Sequence, residues 1–287
     1  MKKKKEYDLH AHTLESDGTY SPEELVEKAK ESGLKGIAIT DHDTIAGLAK
    51  GKKKASEIGI DFIEGIEFSC QDGDLEVHIL GHFLNSEDDF LKKELKELIK
   101  VREERNEKIL EKLLKYKIKL TMEELKEEAG GEIISKAHIA NLMLKKGYVY
   151  TRNSAFREYL GKDGVAYVPK KNFPPEKAVE IIVKNGGKAS IAHPALITKK
   201  ESVFIELLER LIKKGLKGIE ANYPSFTEEE KNKYKQIAKQ YNLFITGGSD
   251  FHGGNREEIE VGDEGISELE YEIMKKSWDI SQLFLFL

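Results

Sequence analysis

Histidine and carboxylate residues recur at short spacings in this sequence, and the combination of these two residue types is typical of sites that bind divalent metals. His10 and His12 are two positions apart, so on an extended chain both imidazoles point to the same face. Asp250 and His252 repeat this spacing far along the chain. Imidazole binds Zn, Mn and Fe, and carboxylates bind harder cations and can bridge two of them. Two metals about 3.5–4 Å apart activate a water and clamp both oxygens of an in-line displacement, so the pattern indicates metal-assisted hydrolysis.

Most of these side chains fall at the C-terminal ends of predicted strands. Short apolar runs predict seven strands, at Tyr7–His10, Gly36–Thr40, Phe62–Phe68, Val77–Phe83, Lys188–Ala192, Gly218–Ala221 and Phe244–Thr246. Barrel enzymes build their sites from the C-terminal ends of strands, so residues spread along the chain meet at one rim. The expected metal ligands at this rim are His10, His12, His42, Glu67, His78, His193, Asp250 and His252. His82 shares a strand face with His78 but is expected to lie deeper or past the rim.

Helical stretches separate most of the predicted strands. Ser21 and Pro22 begin one of them, as N-cap and first helical residue, and Gly33 ends it. Others are predicted at Glu176–Lys184, Val203–Lys214 and Thr227–Tyr241. Seven strands with intervening helices predict parallel βα units and an α/β barrel that is closed or nearly closed. An open doubly wound sheet is the alternative, although no GxGxxG or P-loop sequence stands between a predicted strand and a helix.

A charged helical segment, residues 91–170, interrupts this alternation, and we interpret it as an insertion that caps a barrel core of residues 1–90 and 171–287. Its helices are predicted at Leu91–Tyr116, from Thr121, and from Ser135 to Lys146, with aromatic, turn-rich sequence up to Pro169. Residues 92–171 contain 20 Lys or Arg and 13 Asp or Glu, a net charge of +7, whereas the rest of the chain carries −12. The basic segment either faces an anionic substrate or is a solvated, lysine-rich surface.

The composition limits the class of protein. The chain has 287 residues, of which 39% are hydrophobic, enough for a full buried core. Cys70 is the single cysteine, which excludes an internal disulfide and is typical of a reducing compartment. Neither a signal peptide after the basic start nor an apolar run of about 18 residues is present, so we expect a cytoplasmic protein that does not cross a membrane. The apolar run Leu283–Leu287 is interpreted as a last strand or a subunit contact.

The ordered set of motifs resembles the polymerase-and-histidinol-phosphatase (PHP) domain family. The residues that carry the resemblance are His10-Ala11-His12, Asp17, Asp41-His42, Glu67, His78, His193-Pro194 and Asp250-Phe251-His252. The resemblance covers the core from end to end and implies a distorted seven-stranded β/α barrel, similar to a TIM barrel, with a three-metal site. It implies one metal bound by His10, His12, Glu67 and Asp250, a second by Glu67, His78 and His193, and a third by Asp17, His42 and His252. Asp41 and Asp43 are the candidates for orienting these imidazoles without binding a metal.

Motifs in the insertion resemble one branch of this family, which includes nucleoside 3′,5′-bisphosphate phosphatases and 5′→3′ exoribonucleases of short RNA. They are Ser135–Ala140, Gly147–Val149, Phe156–Leu160 and Ala166–Lys170. The branch often has Arg where this chain has Lys136, and Lys binds phosphate as a point charge without the bidentate fork. Ser135 is expected to cap a helix whose N-terminus is a phosphate site. The residues expected to bind a second phosphate of the substrate are Ser135, Lys136, His138 and Lys170. The alternative is that Ser135 only caps the helix and His138 only packs inside it.

The resemblance implies a hydrolase of phosphate esters that works by attack of a metal-bridging hydroxide. The expected substrates are nucleoside 3′,5′-bisphosphates or short 5′-phosphorylated RNA, and the expected cofactors are two or three divalent metals, Mn in the first place and otherwise Fe or Zn. No stable protein partner is expected. The alternatives are a phosphatase of another small monoester such as histidinol phosphate, a non-catalytic module that binds a phosphorylated ligand, and a nuclease subunit of a replication assembly.

Overall fold

The structure is a computed structural model that describes residues 5–169 and 173–276. Its seven strands lie in one sheet in the order of the chain, and all seven predicted strands are confirmed to within a few residues. They are β1 Tyr7–Asp8, β2 Gly36–Ile39, β3 Asp61–Asp72, β4 Leu75–His82, β5 Lys188–Ile191, β6 Gly218–Asn222 and β7 Phe244–Gly247.

The sheet curls until its first and last strands meet. The N–H of Leu9 donates to the carbonyl of Gly247 at 3.1 Å, and Ala11 and Phe251 form a parallel bridge just beyond β1 and β7. These bonds join the segment after the first strand to the segment after the last. The nearly closed barrel is therefore confirmed, and the open doubly wound sheet is wrong.

β4 runs opposite to its neighbours, so the expectation of parallel βα units is wrong for this strand. The β3–β4 and β4–β5 pairs are antiparallel, whereas the other neighbouring pairs are parallel. Only Gly73 and Asp74 separate β3 from β4, which is too short for a helical crossover, and Gly73 has the positive φ of a tight hairpin, +56°. His78 consequently lies inside its strand. His82 lies towards the N-terminal ends of the neighbouring strands, where its Nε2 bonds the Leu9 carbonyl at 2.8 Å.

Ten α-helices are described. They are α1 Pro22–Glu31, α2 Leu48–Ile58, α3 Asp89–Lys115, α4 Met122–Ala129, α5 Lys136–Lys145, α6 Arg152–Ala155, α7 Pro175–Lys184, α8 Glu201–Lys213, α9 Glu228–Gln240 and α10 Glu268–Lys276. The predicted N-caps Ser21 and Thr121 both form full capping boxes, so α1 and α4 begin where expected. The turn-rich interpretation of the segment before Pro169 is wrong for residues 152–160, because Thr151 caps α6 and a π-helical turn, Phe156–Leu160, follows. None of the described helices is long and apolar enough to cross a membrane.

The inserted helices pack around an apolar cluster of their own, and we call residues 91–169 the cap. Ile109 and Leu113 of α3 belong to this cluster, together with residues of α4 and α5. Leu91 and Leu95 of the same helix instead belong to the barrel cluster. α3 therefore connects the two parts as one continuous helix, and the exact boundary at residue 91 stays a prediction.

The cap meets the barrel at a glycine. A Cβ atom on Gly131 would lie 2.0 Å from the carbonyl oxygen of Leu14, so no larger residue fits without displacing the chain. The N–H of Ile133 also donates to the carbonyl of Glu15 at 3.1 Å. These contacts hold the cap against the loop between His12 and Asp17, beside the rim where the metal ligands are expected.

Candidate metal centre

Glu67, near the middle of β3, lies at the centre of the predicted site. Its side chain is 1% exposed. One oxygen, Oε2, lies 3.2 Å from a ring nitrogen of each of three imidazoles, those of His10, His12 and His42. The other oxygen, Oε1, lies 2.9 Å from Nδ1 of His78 and 3.0 Å from Nε2 of His193. The two oxygens thus face two different sets of imidazoles, as a carboxylate that bridges two cations does.

Two further carboxylates flank this arrangement. Oδ1 of Asp250 lies 3.3 Å from Nε2 of His10 and 3.2 Å from Nε2 of His12. Oδ1 of Asp17 lies 3.3 Å from Nε2 of His252 and 4.0 Å from Nε2 of His42. All nine predicted ligand side chains therefore come together at one rim of the barrel.

Three groups of these side chains have ligand atoms within 4.8 Å of one another. They are His10, His12, Glu67 and Asp250; His12, Asp17, His42 and His252; and His42, Glu67 and His78. The first has the composition that the resemblance implied, and the second contains the implied third group with His12 added. The last pairs Glu67 and His78 with His42 rather than with His193, although His193 also contacts Glu67. The assignment of ligands to individual metals stays a prediction.

The donor atoms fit divalent cations. Nε2 of His10, Nε2 of His12 and Oδ1 of Asp17 are buried and have no hydrogen-bond partner among the described residues. Buried polar atoms are nearly always paired, so such atoms converging on one space indicate a bound group. Imidazole nitrogen and carboxylate oxygen in mixture suit Mn, Fe and Zn.

The charges in this site raise the pKa of two of its histidines. Burial lowers the pKa of His10, but the carboxylates around it, led by Glu67 and Glu220, raise it well above its usual value. For His12, burial is again opposed, mainly by the adjacent carboxylates of Asp250 and Glu67, and its pKa is raised to about 10. The site therefore has an excess of negative charge that attracts cations, which are protons in the metal-free protein and metals in the loaded one.

The metal-free protein is expected to lose stability as the pH rises from about 6.5 to about 10. The folded-state pKa of His12, about 10, exceeds the unfolded value of 6.5. The protonated imidazole therefore stabilises the fold fully below pH ~6.5, and this contribution is lost as the pH rises towards 10. A divalent metal that binds at this site would displace these protons, so its stabilising effect is expected to increase with pH. Melting temperatures with Mn²⁺ and with chelator test both trends, and a flat metal-free curve would contradict the protonated imidazoles.

Backbone strain marks the same rim. Asp43, His193 and Asp250 have φ values of +55°, +25° and +53°, a region that non-glycine residues rarely adopt. Such conformations persist where surrounding structure holds them, and they cluster at functional sites. Gly248 brings the loop after β7 against β1, since a Cβ there would lie 2.3 Å from the backbone nitrogen of His10.

Asp41 supports the loop that carries His12 and Asp17. It accepts hydrogen bonds from the N–H and hydroxyl of Thr13, at 2.7 and 2.6 Å, and from the Ser16 hydroxyl at 2.6 Å. Ser16 in turn lies 3.5 Å from Nδ1 of His12. Asp41 thus reaches a ligand imidazole through a serine and not directly.

Asp43 is arranged in a similar way on the other side. Its Oδ1 accepts the N–H of Ser69 at 2.9 Å, and the Ser69 hydroxyl lies 3.3 Å from Nδ1 of His42. Its Oδ2 accepts hydrogen bonds from both the Nε and the Nη2 groups of Arg102 in α3. Asp43 therefore connects the loop of His42 to the cap, an arrangement that the sequence did not predict.

A cavity of about 680 Å³ opens between the metal groups and the cap. Asp17, His42 and His78 line its barrel side, and the β3–β4 hairpin forms one wall. Lys136 and Tyr167 line the cap side, with the Lys136 ammonium 5.0 Å from the centre of the Tyr167 ring. The cavity thus places a cation of the cap opposite the candidate metal ligands.

Of the other predicted substrate-binding residues, one lines the cavity, one does not, and one lies outside the described residues. Ser135 lines the cavity and is the N-cap of α5, where its hydroxyl accepts the N–H of Ala137 at 3.1 Å. His138 is buried, is not among the residues that line the cavity, and uses Nδ1 to accept the N–H of Ser135 at 3.1 Å. The capping alternative therefore describes His138 better than direct substrate contact does. Lys170, like the apolar run Leu283–Leu287, lies outside the described residues.

Several further residues, which the sequence did not predict, touch the site. Arg105 of α3 lines the cavity, donates its Nε to the Val168 carbonyl at 3.0 Å, and has a buried Nη2 with no hydrogen-bond partner among the described residues. Tyr223 donates its hydroxyl to Oδ2 of Asp250 at 2.7 Å, and Arg256 bonds the same oxygen. The sequence signal for Arg105 was its position three residues after Arg102, a spacing that places both guanidinium groups on one face of a helix.

Comparisons with known proteins agree with this geometry. Residues 8–245 match the model of the PHP domain. A 5′-3′ exoribonuclease of Escherichia coli K12 is 30% identical over 248 residues, 86% of this chain and 85% of the relative. A 3′,5′-nucleoside bisphosphate phosphatase of Chromobacterium violaceum is 31% identical over 256 residues, 89% and 90% of the two chains. A solved structure of a presumed metal-dependent phosphoesterase from Bifidobacterium adolescentis superposes with a TM-score of 0.84 at 27% identity, over 93% of this chain and 94% of the other. With a family match over most of its length, this chain belongs to the PHP domain family.

Proposed function

We propose that this protein is a metal-dependent phosphoesterase that hydrolyses a phosphate monoester or a terminal phosphodiester of nucleotides. The substrates would be nucleoside 3′,5′-bisphosphates, short 5′-phosphorylated RNA, or both, as the names of its relatives suggest. The observation that carries the proposal is Glu67, whose two oxygens face separate sets of imidazoles beside a cavity that cations of the cap also line.

Two or three divalent metals, Mn in the first place, are the proposed cofactors. The proposed ligands are His10, His12, Glu67 and Asp250 for one metal, Glu67, His78 and His193 for a second, and Asp17, His42 and His252 for a third. When bound, the metals would supply an activated water and stabilise the negative charge on the phosphoryl oxygens. The protein would hold them by fixing Asp250 through Tyr223 and Arg256, which leaves its Oδ1 directed at His10 and His12.

The cap is proposed to bind a second phosphate of the same substrate. Three features support this role: the N-terminus of α5, capped by Ser135; the ammonium of Lys136; and Nη2 of Arg105, which is buried and has no hydrogen-bond partner within the part of the chain that the structure describes. A helix N-terminus presents backbone N–H groups to an anion, and a guanidinium N–H forms a charge-assisted bond to phosphate. His138 would act only by shaping the helix start. Residues 91–170 would then be the substrate-binding part of the protein.

Hydrolysis of a panel of substrates, measured as released phosphate for the monoesters and as released nucleotide for the RNA, tests this function. With Mn²⁺, adenosine 3′,5′-bisphosphate or a short 5′-phosphorylated RNA should be hydrolysed faster than AMP or histidinol phosphate, and chelator should abolish the activity. Preference for a simple monoester would support phosphoesterase activity but contradict the binding of a second phosphate by the cap. Absence of turnover with every divalent metal would favour a module that binds phosphorylated ligands without cleaving them.

Replacing Lys136 or Arg105 with methionine is expected to weaken binding of the bisphosphate specifically. Loss of one charge-assisted hydrogen bond costs about 1.5–3 kcal/mol, so KM for adenosine 3′,5′-bisphosphate should rise about 10- to 100-fold. KM for AMP should change little, because AMP lacks the second phosphate. Lys145→Met is the matched control, since Lys145 lies at the far end of α5 and pairs with Glu128 outside the cavity. Equal effects on both substrates would contradict the two-phosphate arrangement.

A further inference from the structure

Glu220 is a buried carboxylate on β6, the one barrel strand from which no metal ligand is expected. Its neighbours Ile219 and Ala221 pack in the apolar cluster between the sheet and its helices, so the Glu220 side chain points into the barrel. It is 0% exposed. A charged group that is fully buried is costly unless it is paired, so the contacts of Glu220 indicate what it does.

The two oxygens of Glu220 contact two different candidate ligands. Oε1 lies 2.9 Å from Nδ1 of His10, and Oε2 accepts the backbone N–H of His193 at 2.7 Å. With Nδ1–H donating to this carboxylate, the lone pair of His10 Nε2 is directed at the space beside Glu67 and Asp250, whose nearest oxygens are 3.2 and 3.3 Å away. The contact thus selects the tautomer in which Nε2 can bind a metal.

His193 depends on the second contact. Its φ of +25° is unfavourable for a residue with a side chain, and the bond from its N–H to Glu220 helps to hold that conformation. In this conformation Nε2 of His193 lies 3.0 Å from Oε1 of Glu67. One carboxylate therefore fixes the ring of a residue after β1 and the backbone of a residue after β5.

We propose that Glu220 is a positioning residue of the metal centre, which orients His10 and holds His193 so that both can bind metal. The inference rests on the proposed function, because both histidines are proposed metal ligands. A carboxylate that accepts the distal N–H of a ligand imidazole also makes that imidazole a stronger donor, so Glu220 should act on metal affinity rather than on substrate binding.

The dependence of activity on Mn²⁺ concentration tests this role, together with direct Mn²⁺ binding by calorimetry. Glu220→Gln keeps the shape of the side chain but has a single acceptor oxygen, so it cannot accept from both histidines. Its half-saturating Mn²⁺ concentration and its dissociation constant should rise about 10- to 100-fold. At saturating Mn²⁺, its kcat and its substrate KM should stay within about 3-fold of the wild type.

Ser190→Ala is the matched control, because Ser190 is buried in neighbouring β5 and its hydroxyl has no hydrogen-bond partner among the described residues. Its Mn²⁺ response should equal that of the wild type. Glu220→Asp, which keeps the charge but is one methylene shorter, should also weaken Mn²⁺ binding. It replaces Glu220→Gln as the test variant if the glutamine variant does not fold. An unchanged Mn²⁺ affinity, or a loss of kcat that is equal at every Mn²⁺ concentration, would overturn the positioning role. A wild-type protein that binds no Mn²⁺ would instead overturn the proposed function, and this is seen before any variant is compared.

Discussion

Replacing Glu67 with alanine is expected to reduce kcat/KM by about 10³-fold or more, since metal-ion stabilisation of the transition state is worth several kcal/mol. Both oxygens of Glu67 lie against imidazoles of candidate ligands, and together they touch five of these rings. Its loss removes the bridge and leaves those imidazoles without a common anion. Phosphate release and metal content of the purified protein, measured together, test this expectation.

Glu64→Ala provides the control for Glu67. Glu64 lies three residues earlier on the same strand, and its carboxylate pairs with Lys52 and the N–H of Ser86, away from the metal groups. This variant should keep its metal content and its activity, with a stability loss of at most about 1 kcal/mol. A Glu67→Ala protein that retained both metal and activity would show that the chemistry takes place elsewhere.

Removing the metals with a chelator should abolish hydrolysis and lower the melting temperature. A metal present at about 100 times its dissociation constant stabilises the fold by about 2.7 kcal/mol per site. For a domain of this size each 1 kcal/mol shifts the melting temperature by about 2–4 °C, so removal should lower it by roughly 5–10 °C per tightly bound metal. Scanning calorimetry before and after chelation measures the change.

Re-addition of the metal separates its loss from damage by the chelator. Mn²⁺ should restore both the activity and the melting temperature. The Mn²⁺ concentration that gives half of the full activity should fall as the pH rises from 6 to 8, because protons compete with the metal for His10 and His12. Activity that survives chelation, with unchanged stability, would contradict a metal-dependent mechanism.

The strand positions and most of the candidate metal ligands were predictable because they depend on local pattern. The apolar runs place each strand, and the paired spacing of His10 with His12 and of Asp250 with His252 is preserved on extended chain. The N-caps Ser21 and Thr121 act within one helical turn and were predicted for the same reason. These features need no knowledge of distant neighbours.

The direction of β4 and the contacts among site residues depend on distant parts of the chain. Apolar periodicity is identical for parallel and antiparallel strands, so only the two residues Gly73 and Asp74 signalled the reversal. Glu220 stands in a strand that otherwise resembles the others, and its partners His10 and His193 lie 210 and 27 positions away. A glutamate between two core residues of a predicted strand is the sequence signal that could have identified it.

Anomalous diffraction at the manganese edge, from crystals grown with Mn²⁺ and inorganic phosphate, would show whether metals bind at Glu67. We expect at least two peaks close together, each within about 2.5 Å of a Glu67 oxygen and of imidazole nitrogens, with a phosphate between them and the cap. Crystals that show no peak at Glu67, or peaks only at surface carboxylates away from His10 and His12, would contradict this expectation.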